Sequence, residues 1–173
     1  MRFNNKLILG LLLSAAALLL SGCIRDMDPF EGGDGVRVNI NGQKCVMLGI
    51  PGHDYADLNM SGDVSSFQAI VSMMVGIMSA DLFELSFNIQ ENDAFIKEQK
   101  YTIKPSGDKT VTLSLPARNG EGVKDINLSG WLYFISYGEI IEARFDLDGK
   151  GSDGMEYSLR HGFLRLHQGE VYQ

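Results

Sequence analysis

The chain has 173 residues, 45% of them hydrophobic and 21% charged, and its formal net charge at pH 7 is -7. This length suits one domain that buries a sizeable core. The acidic balance, with no basic cluster to offset it, argues against nucleic acid or an anionic lipid surface as the main partner.

The N-terminus has the pattern of a bacterial secretion signal. Arg2 and Lys6 precede an uncharged run of fourteen mostly apolar residues, Leu7 to Leu20, and the small residues Ser21 and Gly22 follow it. Because a membrane-spanning helix needs roughly 20 apolar residues, this run is short for a permanent span. We therefore predict a signal peptide over residues 1–22 that is removed, in preference to an uncleaved signal anchor.

The segment Leu20-Ser21-Gly22-Cys23 resembles the lipobox of bacterial lipoproteins. The resemblance implies cleavage between Gly22 and Cys23, transfer of a diacylglycerol to the Cys23 sulfur, further acylation with a fatty acid such as palmitate, and attachment to a membrane through this anchor. Each buried methylene of the lipid contributes about 0.8 kcal/mol, so two or more acyl chains would hold the protein essentially permanently. Ordinary cleavage beside an incidental cysteine is the alternative.

The residues after the cysteine bear on location. Ile24 stands where an aspartate would favour retention in the inner membrane of Gram-negative bacteria, so the resemblance favours the outer membrane of the cell envelope. Asp26, Asp28 and Glu31 then resemble the acidic surface-export tract of Bacteroidetes lipoproteins, although Arg25 and Met27 interrupt it. We expect surface exposure on this basis.

Cleavage would leave 151 residues, and loss of the two cations Arg2 and Lys6 would lower the formal charge from -7 to -9. With Cys23 committed to lipid, Cys45 has no intrachain partner, and no disulfide is predicted. Cys45 lies in an apolar segment and is expected to be a small buried residue, with Lys44 pointing to the opposite face of the strand.

Residues 23–35 are polar and glycine-rich, which predicts a flexible tether, and the folded domain is expected to cover residues 36–173. At its start, apolar residues alternate with polar ones up to Ile40. Asn41-Gly42 then supplies the pair that tolerates the positive φ angles of a type I′ turn, so we predict a β-hairpin here.

The middle of the chain is less regular. Residues 53–63 are expected to form a polar loop. Residues 66–78 fit either a strand buried on both faces or a helix, since Ser65 and Gln68 have capping-box spacing, and the β-branched content favours the strand. Residues 83–89, 101–103 and 110–115 alternate clearly and predict three further strands.

Three strands are predicted to close the chain, over residues 126–137, 141–147 and 155–167, with a bulge at Gly162. Altogether we predict an all-β protein, an antiparallel β-sandwich or partly open barrel of about eight or nine strands. The order of features resembles that of small uncharacterised β-sandwich lipoproteins of Bacteroidetes. That resemblance implies a fold and a location, and hardly an activity.

No pattern predicts catalytic chemistry, a metal or a cofactor. The loop starting at Asp146 resembles an EF-hand only in part, because Lys150 and Tyr157 occupy two of the required ligand positions, and a hairpin loop is the better interpretation. His53 and Asp54 could form an acid–base pair, but no nucleophile accompanies them. We therefore expect no enzyme, and a hydrolase with a site built from loops is the least favoured hypothesis.

The candidate binding residues are Trp131, Tyr133 and Tyr137, which would share one face of a strand. Aromatic rings with polar tips suit half-exposed contact with a sugar or a protein, while burial of these rings in the core is the favoured alternative. The function expected is therefore a non-enzymatic, lipid-anchored envelope module that binds a glycan or a protein partner. An adhesion or fimbria-related structural subunit is the alternative.

Overall fold

The structure is a computed structural model of the chain, and it describes residues 34–50, 52–61, 64–75, 82–115, 124–152 and 154–170. The predicted signal peptide, the cleavage site at Gly22 and Cys23, and the first part of the tether lie outside the described residues. Asp34 and Gly35, which the sequence analysis placed in the tether, belong to the folded domain. Asp34 is buried and accepts hydrogen bonds from the backbone N–H and from Nδ1 of His167, the latter at 2.8 Å.

The described secondary structure is entirely β, which confirms the predicted fold class. The described strands are β1 (Gly35–Ile40), β2 (Gln43–Met47), β3 (Tyr55–Ser61), β4 (Val64–Val75), β5 (Leu82–Glu91), β6 (Tyr101–Ile103), β7 (Lys109–Leu115), β8 (Lys124–Ser136), β9 (Ile140–Lys150), β10 (Glu156–His167) and β11 (Gly169–Glu170).

Eight of the strands close into an antiparallel barrel. Hydrogen bonding runs in the order β4-β2-β1-β10-β9-β8-β7-β5, and β5 pairs with β4 to complete the ring. A barrel of this size leaves an interior that side chains can fill. The side chains of alternate positions do so, and the buried set includes the rings of Phe67, Phe87, Phe134 and Phe145.

Two long strands, β4 and β8, each pair with two different strands along one edge. Residues 64–70 of β4 pair with β3, and residues 73–75 continue the same edge with β2. Residues 124–127 of β8 pair with β7, and residues 130–132 pair with β6. β3 and β6 therefore flank the ring, and β6 brings its connecting loops beside the second half of β8.

The opening hairpin is as predicted. Asn41 and Gly42 have φ angles of 50° and 80°, which a type I′ turn requires. The Asn41 side chain also accepts a hydrogen bond from the Ser158 N–H at 2.8 Å and donates one to the Glu156 carbonyl at 3.1 Å. These bonds hold the turn against β10, so the tip of the hairpin contributes to closure of the barrel.

The predicted bulge at Gly162 is confirmed, because the β10–β9 register shifts between Leu159 and Gly162. Glycine is required at position 162 because of a neighbouring core side chain. A Cβ atom at residue 162 would collide with the ring of Phe145, which is fully buried and packs edge-on against Phe87 with ring centroids 5.5 Å apart. The bulge therefore makes room for a core aromatic side chain.

Cys45 is 1% exposed, as expected of a small core residue, and Lys44 is exposed on the other face of β2. Burial raises the pKa of the Cys45 thiol. The strand predicted over residues 66–78 is also confirmed as far as Val75, where the described part of β4 ends.

Two of the predicted loops are strands in the structure. Residues 53–63 were expected to be a polar loop, but β3 occupies Tyr55–Ser61, with Ala56 and Leu58 buried and polar residues between them. β9 continues to Lys150, through most of the Gly- and Asp-rich segment that was expected to be a loop. In both places the polar residues occupy outward positions of a strand, so composition suggested a loop where alternation carried the correct signal.

Candidate functional site

The outer wall around the second half of β8 carries the first two of the predicted binding residues. Trp131 and Tyr133 are half-buried and point away from the core, because Leu132 and Phe134 between and beside them take the buried positions. Their rings stack, with centroids 5.5 Å apart and planes inclined by 14°. The favoured expectation that these rings fill the core is therefore wrong for both residues.

Tyr137 lies apart from this pair. The β8–β9 register shifts between Phe134 and Ser136, and this bulge reverses the alternation that would have placed Tyr137 beside Tyr133. The Tyr137 ring packs edge-on against Phe134, and its hydroxyl donates a hydrogen bond to the Phe95 carbonyl at 2.8 Å. The prediction that the three aromatic residues share one face therefore fails for Tyr137.

Cross-strand neighbours extend the aromatic pair around the barrel. Tyr133 lies opposite Arg144, Arg144 opposite Phe163, and Phe163 opposite Arg37. The Arg37 guanidinium lies 5.4 Å from the centroid of the Phe163 ring. At the other end, the Lys100 ammonium lies 4.1 Å from the centroid of the Trp131 ring. We call these residues the cationic–aromatic strip: Lys100, Trp131, Tyr133, Arg144, Phe163 and Arg37.

The cations of the strip are available to a ligand. Lys100 and Arg144 are exposed, and neither they nor Arg37 form an ion pair with a carboxylate of the described residues. Asp146 is the acid opposite Trp131, but its Oδ1 already accepts a hydrogen bond from the His161 N–H at 2.8 Å. The strip thus combines aromatic surface with positive charge on a chain that is acidic overall.

A polar cleft of about 440 Å³ adjoins the strip. Lys100 and Thr102 line it, and Thr102 is the cross-strand neighbour of Trp131, so the two features are continuous. Lys104 also lines the cleft and has no carboxylate partner in the part of the chain that the structure describes. The sequence shows no basic cluster, but the fold brings Lys100 and Lys104, which lie on either side of β6 in the chain, to one cleft of mixed charge.

One ion pair fixes the rim of this cleft. Lys109 Nζ lies 3.0 Å from Glu91 Oε2. The hydrogen bond from Lys109 lowers the pKa of Glu91. Asp108 is the second acid of the lining, so the cleft has mixed charge with a small excess of cations.

The residues considered for acid–base chemistry do not form a pair. Asp54 is 1% exposed, and its two oxygens accept hydrogen bonds from the Ser72 hydroxyl at 2.7 Å and from the Ile50 N–H at 3.0 Å. His53 instead lies against Glu84, with Nε2 and Oε2 2.8 Å apart. Asp54 therefore holds the segment before β3 against β4, which is a structural role.

The two acids that begin the partial calcium motif bind residues of β10. Asp148 binds Arg160 at 2.6 Å, and Asp146 binds the His161 N–H as described above. Within the described residues, no group of three or more His, Cys, Asp or Glu side chains is arranged to hold a metal ion. In the same residues no helix is long and apolar enough to cross a bilayer.

The fold and the site together define an eight-stranded antiparallel barrel with an outer cationic–aromatic surface. The chain matches no protein-family model, and neither a curated protein nor a solved structure is significantly similar to it.

Sequence reasoning found Trp131 and Tyr133 and missed the other members of the strip. Alternation places Arg144 and Phe163 on outward positions of their strands, which is a usable signal. Their apposition depends on register between strands, which a single sequence does not reveal.

Proposed function

We propose that this protein is a lipid-anchored cell-envelope module that binds a glycan on its outer wall and performs no catalysis. The observation that carries the proposal is the stacked, half-exposed pair of Trp131 and Tyr133. Aromatic side chains with polar tips are favoured at surfaces where one side is apolar and the other wet, which is how a sugar ring is held.

The barrel supports an external site. Its interior is filled by buried apolar side chains, so a ligand of saccharide size has to bind on the wall or at a rim. The core is formed by other aromatic and aliphatic side chains, and Trp131 points away from it. Tyr and Trp are enriched at interfaces, and a stacked, half-exposed pair next to a cleft suits that role.

The location follows from the N-terminal motif. Acylation at Cys23 would attach the protein to a membrane, and we propose the outer membrane with the barrel exposed at the cell surface. Metabolic labelling with a palmitate analogue tests this directly. The wild-type chain should take up the label and the Cys23→Ala variant should not, whereas an unlabelled wild-type chain would refute the anchor.

A glycan array with the full chain tests the binding function. We expect discrete signals from the wild type and their loss in Trp131→Ala, because the variant removes one ring of the stacked pair. Asn88→Ala is the matched control, since Asn88 is an exposed residue of β5 outside the strip. A blank array for the wild type, or equal signals for wild type and Trp131→Ala, would refute the proposed site.

A second candidate function is assembly through a strand edge. In the described residues β11 pairs only with Tyr55 and Ala56 of β3, so the edge from Asp57 to Ser61 has no partner strand there. Such an edge accepts a strand from another chain, as structural subunits of adhesins do. Light scattering over a concentration series should show association if this is the function, and a constant monomeric mass would exclude it.

A further inference from the structure

We infer that the ligand of the cationic–aromatic strip is an acidic glycan, a chain of sugar rings that bear carboxylate or sulfate groups. This inference rests on the proposed function and specifies its ligand. The strip places cations between aromatic rings along one row of the wall, in the order Lys100, Trp131, Tyr133, Arg144, Phe163 and Arg37.

The charge distribution selects an anion. The chain as a whole is acidic, with a formal charge of -7, so its general field repels an anionic polymer. The strip opposes that trend, because Lys100 and Arg144 are exposed and have no carboxylate partner among the described residues. Two acids of β9 beside Arg144 have other partners: Asp146 accepts a hydrogen bond from the His161 N–H at 2.8 Å, and Glu142 lies 3.9 Å from Arg165.

The geometry selects an extended ligand of rings. The strip runs from Lys100, the residue before β6, across β8, β9 and β10 to β1. Neighbouring strands lie about 4.8 Å apart, so four steps span about 19 Å of wall, enough for several sugar rings in a row. Rings of the glycan would lie against Trp131 and Tyr133, and its anionic groups would bind Arg144 and Lys100.

The adjoining cleft lengthens the site at its β6 end. Lys104 lines the cleft without a carboxylate partner in the described residues, and Thr102 and Ser106 supply hydroxyl groups. Lys100 borders both features, because its ammonium lies over the Trp131 ring and its side chain also lines the cleft. An acidic chain on the strip can therefore continue from Lys100 towards Lys104 in the cleft, whose lining also includes Asp108 and the Glu91–Lys109 pair.

Matched polymers provide the test. The full chain in detergent is titrated with polygalacturonate and with its fully methyl-esterified form, which differ only in carboxylate charge, and with dextran sulfate and neutral dextran. We expect binding of one or both acidic polymers at least tenfold tighter than that of their neutral counterparts, and weaker binding as NaCl is raised from about 50 to 300 mM. A gain in affinity over the esterified form shows that carboxylate groups are recognised, and a gain over neutral dextran shows that sulfate groups are recognised.

Charge variants locate the site. Lys100→Gln/Arg144→Gln should weaken binding of the acidic polymer at least tenfold, because charge-assisted hydrogen bonds to the ligand are lost. Lys44→Gln/Lys150→Gln removes the same charge from exposed residues outside the strip and should change the affinity less than twofold. Unchanged thermal unfolding of both variants shows that each is folded.

The remaining outcomes separate this inference from the proposed function. Equal affinity for esterified and unesterified polymers, with loss of both in Trp131→Ala, would overturn the acidic ligand and leave a neutral-glycan module. Equal losses in the two charge variants would overturn the assignment to the strip. Binding of single-stranded DNA as tight as that of the acidic glycans would overturn the assignment to sugar, since only charge and ring stacking would then be recognised.

Discussion

Gly162→Ala should destabilise the barrel by forcing one methyl group into a filled core. The new Cβ would overlap the ring of Phe145, which is fully buried and packed against Phe87. Because the ring is buried among other core side chains, we expect the clash to be relieved by strained rotamers or by a shift of the β10 bulge. Overpacking of this kind costs about 1–3 kcal/mol. For a domain of this size such a loss lowers the midpoint of thermal unfolding by about 2–10 °C.

A double-mutant cycle isolates the cause. Phe145→Leu alone removes part of a buried ring and should also destabilise, by about 1–3 kcal/mol through loss of packing. Combined with Gly162→Ala, however, it frees space for the added methyl group, so the double variant should be more stable than the sum of the two losses predicts, by about 1 kcal/mol or more. Urea unfolding followed by circular dichroism measures all four proteins. Wild-type stability for Gly162→Ala, or strict additivity in the cycle, would refute this account of the bulge.

Three further predictions concern groups away from the strip. Asp54→Ala should lower the free energy of unfolding by about 2–4 kcal/mol in a urea titration, because it leaves the Ser72 hydroxyl and a backbone N–H without their acceptor; an effect below 0.5 kcal/mol would contradict the role of Asp54. Because the pKa of Glu91 is lowered in the folded protein, its pair with Lys109 stabilises the fold above the unfolded-state pKa, and this stability is lost as the pH falls through the folded-state pKa. Glu91→Gln should therefore reduce the loss of unfolding free energy at acid pH by at most about 1 kcal/mol. An effect confined to alkaline pH would contradict this direction. Cys45, buried and with a raised pKa, should react with iodoacetamide at neutral pH only in denaturant. Rapid labelling of the Cys45 peptide in the folded protein, measured by mass spectrometry, would contradict its burial.

Local patterns were sufficient to predict most of the strands. The Asn41-Gly42 turn follows from the positive φ angles that these residues allow, and the structure has it. The bulge at Gly162 is also present, but its positive φ of 56° belongs to His161, and Gly162 is needed there because a Cβ would meet the Phe145 ring. β3 was missed because Asp57 and Asn59 give the segment a polar composition, although both are outward residues of an alternating strand. Alternation was a better guide than composition in that segment.

The site was less predictable than the fold, since it depends on register. Trp131 and Tyr133 are neighbours on one strand, so the sequence could place them together. Arg37 and Phe163 come from strands far apart in the chain, and only the β1–β10 pairing brings them into contact. The predicted position of Tyr137 was wrong because a bulge in β8 reverses the alternation of inward and outward residues before it. No residue type in that segment indicates a bulge.

Trp131 is the only tryptophan of the chain, so its fluorescence reports on the proposed site without any added label. Titration of the full chain with polygalacturonate or dextran sulfate, with acrylamide quenching measured at each point, tests the central claim most directly. We expect efficient quenching of the free protein, and saturable protection with a shift in emission as the acidic glycan covers the ring. Calorimetry of the same titration shows independently whether the glycan binds. If it binds while the Trp131 emission spectrum and quenching constant stay unchanged, the ligand lies elsewhere, and this result would contradict the account.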